Sequence, residues 1–445
     1  MYSIRKFREN ICCGMDNLNW RRGCVMSKIV VSRAGRLEGS VRISGSKNSV
    51  LPLIAACLLS EGKCTISDVP KLFDVKVMCE LVKSLGGDCI SLKLDDRDAL
   101  CIDTKNIDGL TAPYELVNKM RASFLVMGPL LTKFGCARIP LPGGCAIGSR
   151  PIDLHLKGFA AMGSSINQEH GFIESKINGR LKGARIYLDF PSVGATENIM
   201  MAASLAKGET VIENAATEPE IVDLATFLNK MGAIVKNAGT DTIRIQGVDS
   251  LSATNHVVIP DRIEAGTFMV ATSSVGGHVV IENVLPQHLK PISAKLKETG
   301  AQIIEGESSI KVVSFQRPKS VDLKTLPNPG FPTDMQAQMG SLLAVADGTS
   351  MVVETIFENR FMHLNELSRM GADIKIDGRT AVIKGVESLA GTNVEVSDLR
   401  AGASLIIAGL IAEGKTTITG VDHIYRGYED VVEKFRKLGA DIVSD

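Results

Sequence analysis

The sequence predicts an α/β protein of two domains, each built from three βαβαββ repeats around buried helices. Three observations predict it. First, an apolar run of helix length ending in a Gly turn recurs six times, at Gly62, Gly135, Gly208, Gly276, Gly348 and Gly414. Second, each turn is followed by a β-rich stretch and then a second helical run closed by another Gly, at Gly86, Gly163, Gly232, Gly300, Gly371 and Gly439. Third, the copies follow one another at about 70 residues, the spacing of domain-building units.

The first copy shows the elements in order. Residues 41–43 are short and β-branched. Residues 48–59 are apolar on most faces, so that helix is expected inside. Residues 63–67 alternate as a strand does. Val75, Met78, Val82 and Leu85 have the spacing of an amphipathic helix, and residues 89–94 and 99–103 read as paired strands. Six such units exceed one comfortable core. The boundary is expected near residues 257–262, giving a first domain over 47–259 and a second over 26–46 plus 260–445. Residues 1–25 fit no repeat and have no signal-peptide core; they are expected to be a disordered tail, with Met26 as an alternative start.

Composition excludes several function classes. Fifty Lys and Arg balance fifty Asp and Glu, and aromatics make up 4% of the chain. A nucleic-acid surface is therefore not expected. No apolar run approaches a membrane span. Ten cysteines without framework spacing read as reduced thiols of a cytoplasmic protein. The histidines are unclustered and no metal is expected. The glycines form neither a Walker nor a dinucleotide motif, and no cofactor is expected.

Chemistry is sought where the copies depart from structural need. About 14 residues before each first-turn Gly lie Lys47, Arg121, Val193-Gly194, Arg262, Asp334 and Arg400. Four of the six are cations at the start of a buried helix, where the backbone already presents positive charge. Either each has a neighbouring carboxylate, or the set cradles an anionic ligand. Asp334 is either an N-cap or a carboxylate able to take a proton from a substrate hydroxyl. The stretch 141–151 brackets Cys145 with Gly143, Gly144, Gly148, Pro142 and Pro151. It reads as a mobile lid carrying a reactive thiol, with Arg150 at its base, or as a plain surface loop. Arg426 ends a loop equivalent to residues 357–363 of the fifth copy.

Together these residues resemble one family. Ser44-Gly45-Ser46-Lys47-Asn48, Met120-Arg121-Ala122-Ser123, Pro142-Gly143-Gly144-Cys145, Arg150-Pro151-Ile152-Asp153-Leu154, Glu218-Pro219-Glu220, Phe331-Pro332-Thr333-Asp334-Met335-Gln336, Glu358-Asn359-Arg360-Phe361-Met362-His363, Asp398-Leu399-Arg400 and Asp422-His423-Ile424-Tyr425-Arg426-Gly427 are similar to the motifs of the UDP-N-acetylglucosamine enolpyruvyl transferases. The resemblance runs from about Ile29 to the C-terminus. It implies an inside-out α/β barrel and transfer of the enolpyruvyl group of phosphoenolpyruvate to the 3′-hydroxyl of UDP-N-acetylglucosamine, the first committed step of peptidoglycan synthesis.

Carried over, Lys47, Arg121, Arg150 and Arg426 hold phosphate and carboxylate charge, and Asn48 orients phosphate or sugar. Cys145 protonates the methylene carbon and can form a pyruvyl adduct. Asp334 is the base toward the sugar hydroxyl. Arg121, Arg150, Pro151, Ile152, Asp153, Leu154, Phe190, Pro191, Ser192, Val193, Asp334 and Ile356 are implied to line the UDP-sugar site. Glu220, Asp398 and Arg400 support the cleft, and Arg360 bridges the domains on closure. Some members carry Lys at the position of Phe190, so a side-chain contact with uridine there is in question. Some carry Asp at the position of Cys145; the Cys here implies sensitivity to the thiol-alkylating epoxide fosfomycin. The sister enolpyruvylshikimate-phosphate synthases share the Gly45-Ser46-Lys47 pattern but continue with Ser and lack the Pro-Gly-Gly-Cys lid. A non-catalytic repeat scaffold would need neither a lid thiol nor a cleft carboxylate. RNA-end-cyclising repeat proteins share similar modules but fit the neutral charge and few aromatics poorly.

Overall fold

The computed structural model describes residues 28–141, 147–148 and 152–445. Cys145, Arg150 and Pro151 lie outside the described residues. Within them the repeat is regular. In the first copy, Lys63–Ser67 pairs antiparallel with Arg97–Asp103, which pairs antiparallel with Asp88–Leu94. The remaining edge is a parallel strand from far along the chain, Asn255–Val257. The third copy repeats this order with Arg185–Tyr187, Glu209–Glu213, Thr242–Gln246 and Ile234–Lys236, and the fifth with Leu323–Lys324, Thr349–Val353, Thr380–Lys384 and Asp373–Asp377. In the second copy an isolated parallel bridge, Thr111 to Arg138, stands in the place of the fourth strand.

Each sheet turns its inner face onto a helix that is buried nearly all round. In Leu399–Ile411 every residue from Arg400 to Leu410 is buried, and in Arg262–Val275 every residue from Ile263 to Ser273. An α-helix without a solvated face is stable only inside other elements. The amphipathic helices, such as Phe73–Ser84 and Pro219–Met231, instead keep Glu80 and Lys230 toward water. The architecture is therefore sheets and amphipathic helices wrapped around central helices, the inside-out arrangement, in two domains.

Two apolar cores result. One is built from residues Val50 to Val258. The other joins Ile29–Ile43 to Ile263–Ile442. The N-terminal segment belongs to the second core because Ile29–Ser32 pairs with Lys415–Thr419 and Ile442–Ser444, while Leu37–Arg42 lies parallel to Gly277–Glu282. The chain thus passes between the cores twice, and the two passages touch. Ser46 N–H donates to Ile259 O at 2.7 Å and Asp261 N–H to Ser44 O at 2.9 Å. Gly45 fits here because a Cβ would lie 1.9 Å from the carbonyl oxygen of Asp68. Asp261 then caps a helix on each side: Oδ1 accepts from Ile263 and Glu264 N–H, and Oδ2 from Lys47 N–H at 3.0 Å. Among the described residues no helix is long and apolar enough to cross a membrane.

Candidate active site

The double passage places the start of the Lys47–Ala56 helix between the two cores. Lys47 is buried and its Nζ lies 2.9 Å from Asp74 Oδ2. Burial depresses the pKa of Lys47; Asp74 opposes the shift, while the charges of Arg400 and Arg426 reinforce it. Asp74 is 1% exposed and stands in the first turn of Phe73–Ser84, where the helix end favours an anion. Its other partner comes from the second core. Arg426 donates from Nε to Oδ1 at 2.8 Å and from Nη2 to Oδ2 at 3.4 Å. Burial works against ionising Asp74, but Lys47 and then Arg426 outweigh it, so its pKa falls below the ordinary carboxylate value.

Asp334 forms the second cluster. It sits in the 3-10 turn Thr333–Met335, whose cap makes no side-chain bond. Its carboxylate instead accepts from Arg360 Nη2 at 2.8 Å on one oxygen, and from Arg400 Nη2 at 3.0 Å and Nε at 3.3 Å on the other. Asn48 reaches the same carboxylate across the cleft, Nδ2 to Oδ2 at 3.5 Å. Arg400 is 2% exposed. Burial disfavours its charge, but Asp334, Tyr428 and Asp261 outweigh that and raise its pKa. Asp398 fixes the backbone beneath it, accepting from Arg400 and Ala401 N–H. Tyr428 lies under the guanidinium, 5.5 Å from ring centre to Cζ, and its hydroxyl meets Thr267 and Gln338.

The remaining expected residues are placed as follows. Arg121 opens the 3-10 turn Arg121–Val126 that leads into Met127–Phe134. Ile152 precedes the Asp153–Ala161 helix, which begins with Asp153 and Leu154. Ser192 caps Val193–Ala203 by accepting from Ala195 N–H, with Pro191 before it and Phe190 exposed. These two helix starts meet, since a Cβ on Gly194 would lie 3.4 Å from His155 Cε1. His155 is held neutral, its pKa pushed down to about 3 by burial and then by the charge of Arg121. Ile356 N–H donates to Glu354 Oε1 at 2.8 Å. Glu220 pairs with Arg262 Nε at 3.1 Å, so the ordinary salt bridge accounts for that one of the four helix-start cations. The described partners of Arg360 belong to its own half: Thr333 Oγ1, Asp334 and the ring of Phe357. At the base of the 141–151 segment, Asn359 N–H donates to Ile147 O, and a Cβ on Gly148 would meet Glu358 Oε2 at 2.3 Å. Ile147 and Gly148 therefore rest on the second half, whereas Leu141 N–H donates to Gly171 O of the first.

Two organising carboxylates were not foreseen. Asp74 falls in an amphipathic helix and looks like a first-turn acid. Only the structure marks it out, by burying it while the adjacent Phe73 is exposed. Glu354 is fully buried; it accepts from Thr325 and Thr333 hydroxyls and from Ile356 and Phe357 N–H, locking the loop behind Asp334. A cavity of about 490 Å³ lies between the halves at Thr217, His288, Lys290 and Asn328. None of the expected site residues lines it, and the clustered charges mark the site better than that volume does.

A cluster of cations and one half-buried carboxylate between two inside-out domains suits a carboxyvinyltransferase. The profile of the EPSP synthase (3-phosphoshikimate 1-carboxyvinyltransferase) family matches residues 31–435. The enolpyruvyl transferase NikO from Streptomyces tendae superposes with a TM-score of 0.83 at 24% identity, over 94% of this chain and 98% of that one. EPSP synthase from Acinetobacter baumannii does so with a TM-score of 0.72 at 21% identity, over 95% and 100%. These likenesses show the fold. Sequence relatives narrow it. UDP-N-acetylglucosamine 1-carboxyvinyltransferase 1 of Caldanaerobacter subterraneus subsp. tengcongensis is 59% identical over 417 residues, 94% of this chain and 99% of that protein. The UDP-N-acetylglucosamine 1-carboxyvinyltransferase of Finegoldia magna is 55% identical over 419 residues, 94% and 98%. The chain belongs to the UDP-N-acetylglucosamine 1-carboxyvinyltransferase family.

Proposed function

We propose that this protein transfers the enolpyruvyl group of phosphoenolpyruvate to the 3′-hydroxyl of UDP-N-acetylglucosamine and releases phosphate, the first committed step of peptidoglycan synthesis in the cytoplasm. The observation that carries the reading is the convergence of Lys47 and Arg426, one from each half, on Asp74, with the neighbouring Asn48 reaching the Asp334 carboxylate. The domain limits that go with it are 47–259 and 26–46 plus 260–445.

In this reading Lys47, Arg121, Arg150 and Arg426 hold the phosphate and carboxylate of phosphoenolpyruvate, with Asn48 orienting phosphate or sugar. Asp334 takes the proton of the 3′-hydroxyl as its oxygen bonds to C2 of phosphoenolpyruvate. Cys145 delivers a proton to the C3 methylene, giving a tetrahedral ketal. Return of a C3 proton to the Cys145 thiolate and departure of phosphate from C2 restore the double bond. The fixed guanidiniums and ammonium stabilise charge without reorganising, commonly the largest catalytic contribution. The starts of Asp153–Ala161 and Val193–Ala203, with Ile356 opposite, take the UDP-sugar.

The test is phosphate release from phosphoenolpyruvate with UDP-N-acetylglucosamine, run beside shikimate 3-phosphate. Release with the UDP-sugar alone is expected. Release with shikimate 3-phosphate alone would move the protein to the sister activity. Silence with both in a folded protein that binds UDP-sugar would leave a scaffold.

A further inference from the structure

We propose that Asp74 is a built-in competitor for phosphate: a positioning residue that seats Lys47 and Arg426 on one carboxylate in the unliganded cleft and loosens the hold on phosphate so that this product leaves. The proposal rests on the reading of the cleft as a phosphate site.

The geometry is that of an anion already in place. Both Asp74 oxygens are engaged, Oδ1 by Arg426 and Oδ2 by Lys47 and Arg426, at 2.8 to 3.4 Å. Among the described residues no other carboxylate makes an ion pair with either cation. The contact joins the two halves, since Asp74 stands in the first core and Arg426 follows the helix Asp422–Tyr425 of the second. The ammonium has three donors and the guanidinium five, so each keeps donors beyond those turned to Asp74. A phosphate taking those donors lies one cation's width from a buried negative charge. Because Asp74 itself is buried, solvent screens that repulsion only in part. Asp74 therefore does two opposed things. It orders the two cations and draws the halves together before substrate arrives, and it lowers the affinity of the finished site for a dianion.

The two effects separate on neutralising the residue. Asp74→Asn keeps the shape and one acceptor but removes the charge. Inorganic phosphate is titrated calorimetrically into wild type, Asp74→Asn and Asp74→Glu, each with saturating UDP-N-acetylglucosamine. The Asn protein is expected to bind phosphate on the order of tenfold more tightly, with lower kcat and stronger inhibition by phosphate. The Glu protein stays within about twofold of wild type because its charge is kept. If the Asn protein does not fold, Asp74→Ser repeats the charge removal. Weaker or unchanged phosphate binding in the folded, neutralised protein overturns the proposal and leaves Asp74 as support for the cations. Absence of phosphate binding in every form, wild type included, overturns it together with the phosphate-cleft reading.

Discussion

Replacing Asp334 by Asn tests the site and the fold at once. Its carboxylate is the described anion for two nearly buried guanidiniums, Arg360 at 4% and Arg400 at 2% side-chain exposure. Removing one partner of a buried ion pair typically costs about 3–5 kcal/mol. Asp334 itself is 25% exposed, so solvent screens part of the loss and about 2 kcal/mol is the reasonable expectation. The Asn amide also turns a donor toward one guanidinium, which has only donors. The chemical effect is separable from this. A positioned general base contributes about 10²–10⁴ in rate, so kcat should fall about 10³-fold while UDP-N-acetylglucosamine still binds. Phosphate release at saturating substrates gives the rate, and calorimetry and thermal unfolding give binding and stability. Turnover within tenfold of wild type, at a temperature where the variant is folded, would refute the base role and leave Asp334 as a clamp for Arg360 and Arg400.

Three further outcomes are expected. His155 has its folded pKa lowered to about 3 from 6.5, so the unfolded chain binds a proton first; this stability is complete above about pH 6.5 and lost as pH falls. At pH 5 the loss from this residue is about 2 kcal/mol, and the drop in urea-unfolding stability from pH 7 to pH 5 should shrink by that amount in His155→Gln; an equal drop in both proteins would sink the argument. Gly45→Ala places a Cβ 1.9 Å from the Asp68 carbonyl oxygen; backbone must move, a loss of more than about 3 kcal/mol is expected, and a wild-type melting temperature would show the crossing to be loose. Cys145→Asp should keep activity and lose inactivation by fosfomycin, and continued inactivation would mean that another thiol is alkylated.

The repeat and the buried helices were legible because six-fold recurrence averages out local ambiguity. Lys63–Ser67 is a strand as the alternation predicts, and the apolar run after Lys47 is the buried helix Lys47–Ala56, continued by a 3-10 turn over Cys57–Leu59. What the repeat could not give is the exchange of edge strands. Asn255–Val257 joins the first sheet from the end of the third copy, a pairing between distant residues that no local pattern encodes. In the site, the cations were legible because they break a rule at equivalent positions. Of the acids that answer them, Asp334, Glu220 and Asp398 were named through the family resemblance, whereas Asp74 was not. Asp261 and Asp398 are ordinary N-caps by sequence, and each in fact supplies the negative charge that a helix start prefers, so the cations beside them are less anomalous than they look. Asp74 sits in another helix altogether and reaches Arg426 across 352 residues of chain.

A cation at a buried helix start does not by itself announce a ligand; the ratio of cations to carboxylates does. Arg262 and Glu220 form a one-to-one pair, electrically complete. Lys47 and Arg426 share Asp74, and Arg360 and Arg400 share Asp334. Counting these ion pairs alone, each sharing cluster has two cations on one carboxylate; the two face each other through Asn48, with the buried Asp261 adding a negative charge near Arg400. Buried excess charge is costly unless something offsets it. In a protein of zero formal net charge, the proposed role of the cleft gives that cost a purpose: an anionic substrate would relieve it on arrival. On the proposed function, the same excess accounts for carboxylates that are shared rather than matched one for one: full neutralisation would make the helix starts more stable and the cleft a poorer receptor for phosphate and carboxylate.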